Sequence, residues 1–181
     1  MSDLRWLPTA AEIVDVMEQA VAGEWRDSPS PWVTLVVELT RSNLRQWDLE
    51  DVTRDPLAAD VVVAGAKRGI DELNMGRHRL VEQIDAQVDA SLDQPRAAPL
   101  ATESPGMVLD RLSVLVIRRA RTASAAQNQP AYAERMPELD ARVAVLSRAF
   151  DSYIDELRRG IRQFVPYEHF KLYGSSASTG G

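Results

Sequence analysis

Two stretches between Asn43 and Asp85 carry side chains able to do chemistry at helical spacing. Trp32, Val36, Leu39, Asn43, Trp47, Glu50 and Arg54 recur at steps of three or four, and so do Val63, Lys67, Ile70, Asn74, Arg77, Val81, Ile84 and Val88. Such steps set each group along one helix face. These faces hold Asn, Glu, Arg and Lys where a core residue is expected. Groups of that kind must be satisfied inside a bundle or presented to a ligand.

The chemistry they suit best is recognition of a polar or anionic small molecule. Arg54, Lys67, Arg68, Arg77 and Arg111 are suited to clamp a phosphate, sugar phosphate or carboxylate. Asn43 and Asn74 would read hydroxyls, Asp71 is a further ligand-binding candidate, and Trp47 would stack on a sugar face or fill core. The competing arrangement pairs Glu50 and Asp51 with Lys67, Arg68 or Arg77 across a helix interface. Buried pairs seldom stabilise more than apolar packing does, so the number of such groups favours a ligand between the second, third and fourth helices. Glu50, Asp51, Glu103 and Asp110 are the candidate catalytic carboxylates. Glu103 sits beside a helix start, where it would act as an acid or base or cap the helix dipole.

A weaker alternative is a cation held by oxygen ligands. Asp71, His78, Glu82 and Asp85 share a face of the third helix, and such a set suits Mg²⁺ or Mn²⁺. The acid pairs Asp48-x-x-Asp51 and Glu82-x-x-Asp85 loosely resemble those of all-α nucleotide pyrophosphohydrolases. The Glu-x-x-His pairs of a ferritin-like di-iron site are missing. Ser104 and Ser113 lack a partner at a recognised catalytic spacing, and Ser104 reads as a helix cap. No Gly-rich phosphate loop, dinucleotide fingerprint or zinc spacing occurs, so no cofactor is expected.

Length and composition bound these readings. The 181 residues suffice for one domain with a real core, and 45% hydrophobic with 27% charged residues is ordinary for a globular protein. A net charge of −6 argues against general nucleic-acid binding and against attraction to anionic membranes, although Arg111, Arg118, Arg119 and Arg121 form a local basic cluster. There is no cysteine, no apolar run of signal-peptide length and no stretch able to span a membrane, so a cytoplasmic setting is expected.

The elements that must position these residues read as an all-α bundle of about five main helices with no sheet, forming a single domain over 1–173. Residues 1–8 read as an irregular arm. Thr9 and Glu12 form a capping box for a first helix ending near Gly23. Ser30 and Pro31 open a second helix, which Pro56 stops. Asp60 is the expected cap of a third, running towards Leu92 and interrupted by Gly65, Gly69 and Gly76. These glycines suggest close crossings, room for a ligand, or a kink. A loop over 93–106 separates the two halves of the bundle. Ser104 and Pro105 start a fourth helix expected to reach about Arg121, followed by a loose polar segment to Pro130. The last helix runs from near Pro137 to Pro166 with a stripe including Leu139, Val143, Leu146, Phe150, Leu157 and Ile161. Tyr167, Phe170, Leu172 and Tyr173 are expected to fold back as a clasp, and 174–181 to be a flexible tail.

Several ordered motifs together resemble one bacterial family. They are Asn43-Leu-Arg-Gln-Trp47-Asp-Leu-Glu50-Asp51-Val-Thr-Arg54, Lys67-Arg68-Gly-Ile-Asp71-Glu-Leu-Asn74, then Arg77, Glu82 and Asp85, Glu103-Ser-Pro105-Gly106, Asp110-Arg111-Leu-Ser113 and Phe170-Lys171-Leu-Tyr173. The chain resembles the family catalogued as domain of unknown function 4254 from its second helix to residue 173. The resemblance implies a helical fold. Members are often encoded among genes for polysaccharide or other glycoconjugate assembly, which implies a biosynthetic context. The family pattern has His where Asp48 stands, and Gln, Asn and Asp where Met75, His78 and Arg79 stand, so a ligand role at those positions is not carried over. Two classes of function follow. One is an enzyme or ligand-binding protein of glycoconjugate or specialised-metabolite biosynthesis. The other is a non-catalytic helical partner that holds a biosynthetic enzyme or forms a homodimer.

Overall fold

Local signals place most helix ends. The computed structural model describes residues 7–26, 30–95 and 97–168. Helix α1 (Ala10–Ala22) starts at the Thr9 capping box, with Glu12 reaching back to the Thr9 amide at 2.8 Å, and ends at Gly23, whose φ of 75° favours glycine. Helix α2 (Pro31–Arg54) is capped by Ser30 and carries Pro31 in its first turn. Helix α3 (Asp60–Ala90) departs from expectation at its start. Ala59 is the N-cap and makes no side-chain bond, while Asp60 lies in the first turn, where its charge still meets the helix dipole.

Helix α4 (Pro105–Ala126) is capped by Ser104 as expected. It continues past Arg121 through residues expected to be loose, because Thr122 to Ala126 contains no helix breaker and Pro130 is the first. A single turn, α5 (Pro130–Ala133), precedes α6 (Met136–Arg158). The last helix ends at Arg158, eight residues before Pro166, and Gly160 follows with φ 65°, so Ile161 leaves the helical stripe and is exposed. No strand occurs among the described residues; Leu100 and Gln163 form one isolated parallel bridge. The chain is all-α, as the periodicity predicts.

The core gathers Ile13 and Met17 of α1, Trp32, Val36 and Leu39 of α2, Val81, Ile84 and Val88 of α3, Leu109, Leu112 and Val116 of α4, and Phe150, Ile154 and Leu157 of α6. Helices α2 and α3 are the most extensively packed pair, yet their outer halves contribute little to that core. Beyond Asn43 no residue of α2 is buried, and before Val81 only Ala66 and Ile70 of α3 are. The outer hairpin is thin enough that a Cβ at Gly69 would lie 2.9 Å from the Leu49 side chain. Gly69 therefore marks a close crossing, whereas Gly65 and Gly76 face open space. The hairpin ends in exposed Leu57, Val61 and Val62. No helix among the described residues is long and apolar enough to cross a membrane.

Candidate functional site

The interior polar stripe survives at one residue. Asn43 is buried where α2, α3 and α4 meet, and its amide donates to Asp110 Oδ1 and to Ser113 Oγ, both at 2.7 Å. The Ser113 hydroxyl donates in turn to the Asp110 carbonyl at 2.8 Å. Arg77 approaches the other Asp110 oxygen at 3.7 Å, with both side chains about a quarter exposed.

Concave space lies on the far side of Asp110. A groove of about 800 Å³ runs between α4 and α6, with Arg77 of α3 at one wall. From α4 it takes Asp110, Arg111, Val114, Leu115 and Arg118, a repeat that keeps one helix face towards α6. From α6 it takes Glu138, Ala141, Arg142, Val145, Leu146 and Ala149 at the same period. Four guanidiniums face two carboxylates there, in a chain of net charge −6. Three of these guanidiniums pair with carboxylates, Arg77 with Asp110, Arg111 with Glu103 and Arg142 with Glu138, and Arg118 supplies the excess positive charge that attracts an anion. Glu103 lies just outside, bound to Arg111 at 2.6 Å, and lines a smaller depression of about 410 Å³.

The other sequence candidates lie elsewhere. Glu50 pairs with Arg54 of its own helix at 3.1 Å, and Asp51 with the same arginine at 3.6 Å. Arg54, Lys67, Arg68 and Asp71 are exposed, while Trp47 and Asn74 are half-buried on the hairpin outside the groove. Thus Arg54 and Lys67 do not occupy core positions as their spacing suggests, because the hairpin extends beyond the core. Of the basic cluster, Arg119 joins Glu18 and Asp140, and Arg121 joins Asp48. Arg111 and Arg118 face the groove. The groove residues of α6 were missed because its stripe reads as core; the signal was Arg142 beside Val145 and Leu146, flanked by small Ala141 and Ala149.

Among the described residues no three His, Asp or Glu side chains gather to hold a metal ion. Asp71 is exposed, Glu82 half-buried, and His78 stacks on Tyr167 with its Nδ1 2.8 Å from the Tyr167 hydroxyl. Tyr167 thus folds back as part of the expected clasp, while Phe170, Leu172, Tyr173 and the 174–181 tail lie outside the described residues.

Asp85 has a different role. It is fully buried and accepts from the Gly106 amide at 2.6 Å, the Tyr167 amide at 2.9 Å and the Ser104 hydroxyl. It therefore satisfies an otherwise unpaired amide in the first turn of α4 and ties that turn to α3 and to the returning chain. Tyr153 holds the same turn from α6, donating to the Glu103 carbonyl at 2.9 Å. Burial, and then the Asp85 charge, push its phenol above the ordinary value, so it stays a donor. These contacts set the register of α4 and hence the position of Asp110 and Arg111 one turn on.

Burial also raises the Asp85 carboxyl above its ordinary value of 3.8, against the opposing pull of Ser104, Tyr167 and Gly106. The folded chain then holds an extra proton between the unfolded and folded values, so stability falls as pH rises through that window. The denaturant midpoint of the native chain minus that of Asp85→Asn, which has no carboxyl to titrate, should decline as pH climbs from about 4 and then level off. A difference that grows over the same window would mean that the hydrogen-bond donors outweigh burial.

The family described as Protein of unknown function (DUF4254) matches residues 33–165. No curated protein and no solved structure matches the chain.

Proposed function

The chain belongs to the DUF4254 family, and we propose that it binds an anionic small molecule in the groove between α4 and α6 and acts on it as an enzyme of glycoconjugate or specialised-metabolite biosynthesis. One observation carries the reading. Asp110 stands at the groove wall with one oxygen held by the buried Asn43 amide and the other towards Arg77. A carboxylate fixed in this way, beside guanidiniums that seat an anion, is placed to move a proton as general base or acid. Arg77 and Arg111 would bind the anion and Asn43 would position Asp110. The biosynthetic setting comes from the gene context that the family resemblance implies.

The reading is tested by thermal shift and calorimetry with sugar phosphates, nucleotide sugars and simple phosphate esters, since a bound ligand raises the melting temperature by mass action. Arg77→Met should stay folded and lose no more than about 1 kcal/mol, because its pair with Asp110 is long and partly solvated. Its affinity for the best anion should drop at least about tenfold, equivalent to about 1.4 kcal/mol. Unchanged affinity in this variant would remove the groove from consideration.

A second reading is a partner protein docking through the hairpin tip, favoured by Leu57 at 91% and Val61 at 74% exposure. Leu57→Asp with Val61→Asp would abolish such an association and leave anion binding intact.

A further inference from the structure

We infer that the ligand of this groove is an amphiphile, a free molecule with a phosphate or carboxylate and an apolar chain or ring system about 10 Å long. The inference rests on the anion-binding reading and adds the other half of the ligand. Arg111 and Arg118 are seven residues apart on α4, about 10 Å by the helical rise, with Val114 and Leu115 between them. Val145 and Leu146 face them from α6, and Val145 is 57% exposed within the groove.

Among the described residues the lining contains no Ser, Thr, Asn or Gln. A site for a sugar or another polyhydroxylated body needs amides and hydroxyls to replace lost water contacts, because an unmatched polar group costs free energy on burial. Here the uncharged lining among the described residues is apolar, and polar recognition is left to the charged side chains. Arg118 makes no ion pair with any described residue, so an anion there displaces no internal partner. Small residues at 141 and 149 keep the strip open, and the volume of about 800 Å³ lies within the roughly 300–1,000 Å³ usual for small-molecule sites. The charge of −6 disfavours an anionic bilayer as the source of the amphiphile.

The test is calorimetric titration of the full chain with inorganic phosphate, glucose 1-phosphate, butyl phosphate and octyl phosphate, the last two below their micelle concentrations. Octyl phosphate should bind at least about tenfold more tightly than butyl phosphate, as burial of added methylenes requires. Val145→Asn, a neutral polar change at an exposed position, should erase that chain-length dependence. Arg118→Met should weaken all four. If glucose 1-phosphate binds as well as octyl phosphate, the amphiphile is wrong and the anion site stands. If no anion binds, both readings fail. Octyl phosphate heat unchanged in both variants would be surfactant adsorption and overturns the inference. So would self-association, or binding to phosphatidylglycerol vesicles, that disappears in Val145→Asn and leaves no heat with octyl phosphate.

Discussion

Asp85→Ala is expected to destabilise the chain by about 3–5 kcal/mol, a loss read directly from denaturant midpoints. The carboxylate has no exposure, and its removal strands the Gly106 and Tyr167 amides and the Ser104 hydroxyl together. Each buried donor left unpaired costs about 1–3 kcal/mol, partly relieved where water enters the space left behind. Asp85→Asn should lose less, about 1–3 kcal/mol. One amide oxygen still accepts, but its NH₂ then faces a backbone N–H. A loss under about 1 kcal/mol for the alanine variant would show that the first turn of α4 holds its place without α3.

Gly106→Ala should be the second costly change, at about 2–3 kcal/mol, towards the upper end of ordinary overpacking. Its Cβ would fall 2.8 Å from Asp85 Oδ1 and 2.8 Å from the Val81 carbonyl. The second neighbour is backbone and cannot swing away, so α4 must lift from α3. Gly76→Ala is the control, since nothing lies within 4 Å of its added Cβ. Helical propensity alone then predicts a gain of about 0.5–1 kcal/mol. Urea denaturation of both variants checks the opposite signs; two equal losses would mean that close approach is not what Gly106 provides. Because α4 also carries Asp110 and Arg111, Gly106→Ala should weaken anion binding at the groove as well.

Asp85 and Gly106 therefore explain why acid, serine, proline and glycine occur together in this chain. Ser104 and Pro105 announce a helix start from their own chemistry, as an N-cap hydroxyl and a residue needing no amide partner. Gly106 says nothing locally, since a glycine one position further in has no turn to make. Its reason lies on another helix, in the Val81 carbonyl and the Asp85 carboxylate.

The sequence by itself determined the helices and most of their ends, because capping boxes, proline and apolar period act within a few residues of chain. Thr9 with Glu12, Ser30 with Pro31, and Ser104 with Pro105 each needed nothing distant. It also determined that Asn43 and Lys67 lie on faces otherwise apolar, and that Asp85 shares a polar face of α3 with Asp71, His78 and Glu82. Tertiary structure alone decided what became of each. Asn43 and Asp85 sit where helices converge, so they are buried and hydrogen-bonded. Lys67 sits on a hairpin that has outrun the core, so its charge remains in water. The helical period fixes an angle about one axis and is silent on which neighbour stands opposite. For the same reason Arg118 and Arg142 could be read as surface charge until α4 and α6 were set side by side and the strip of valine and leucine between them was left uncovered.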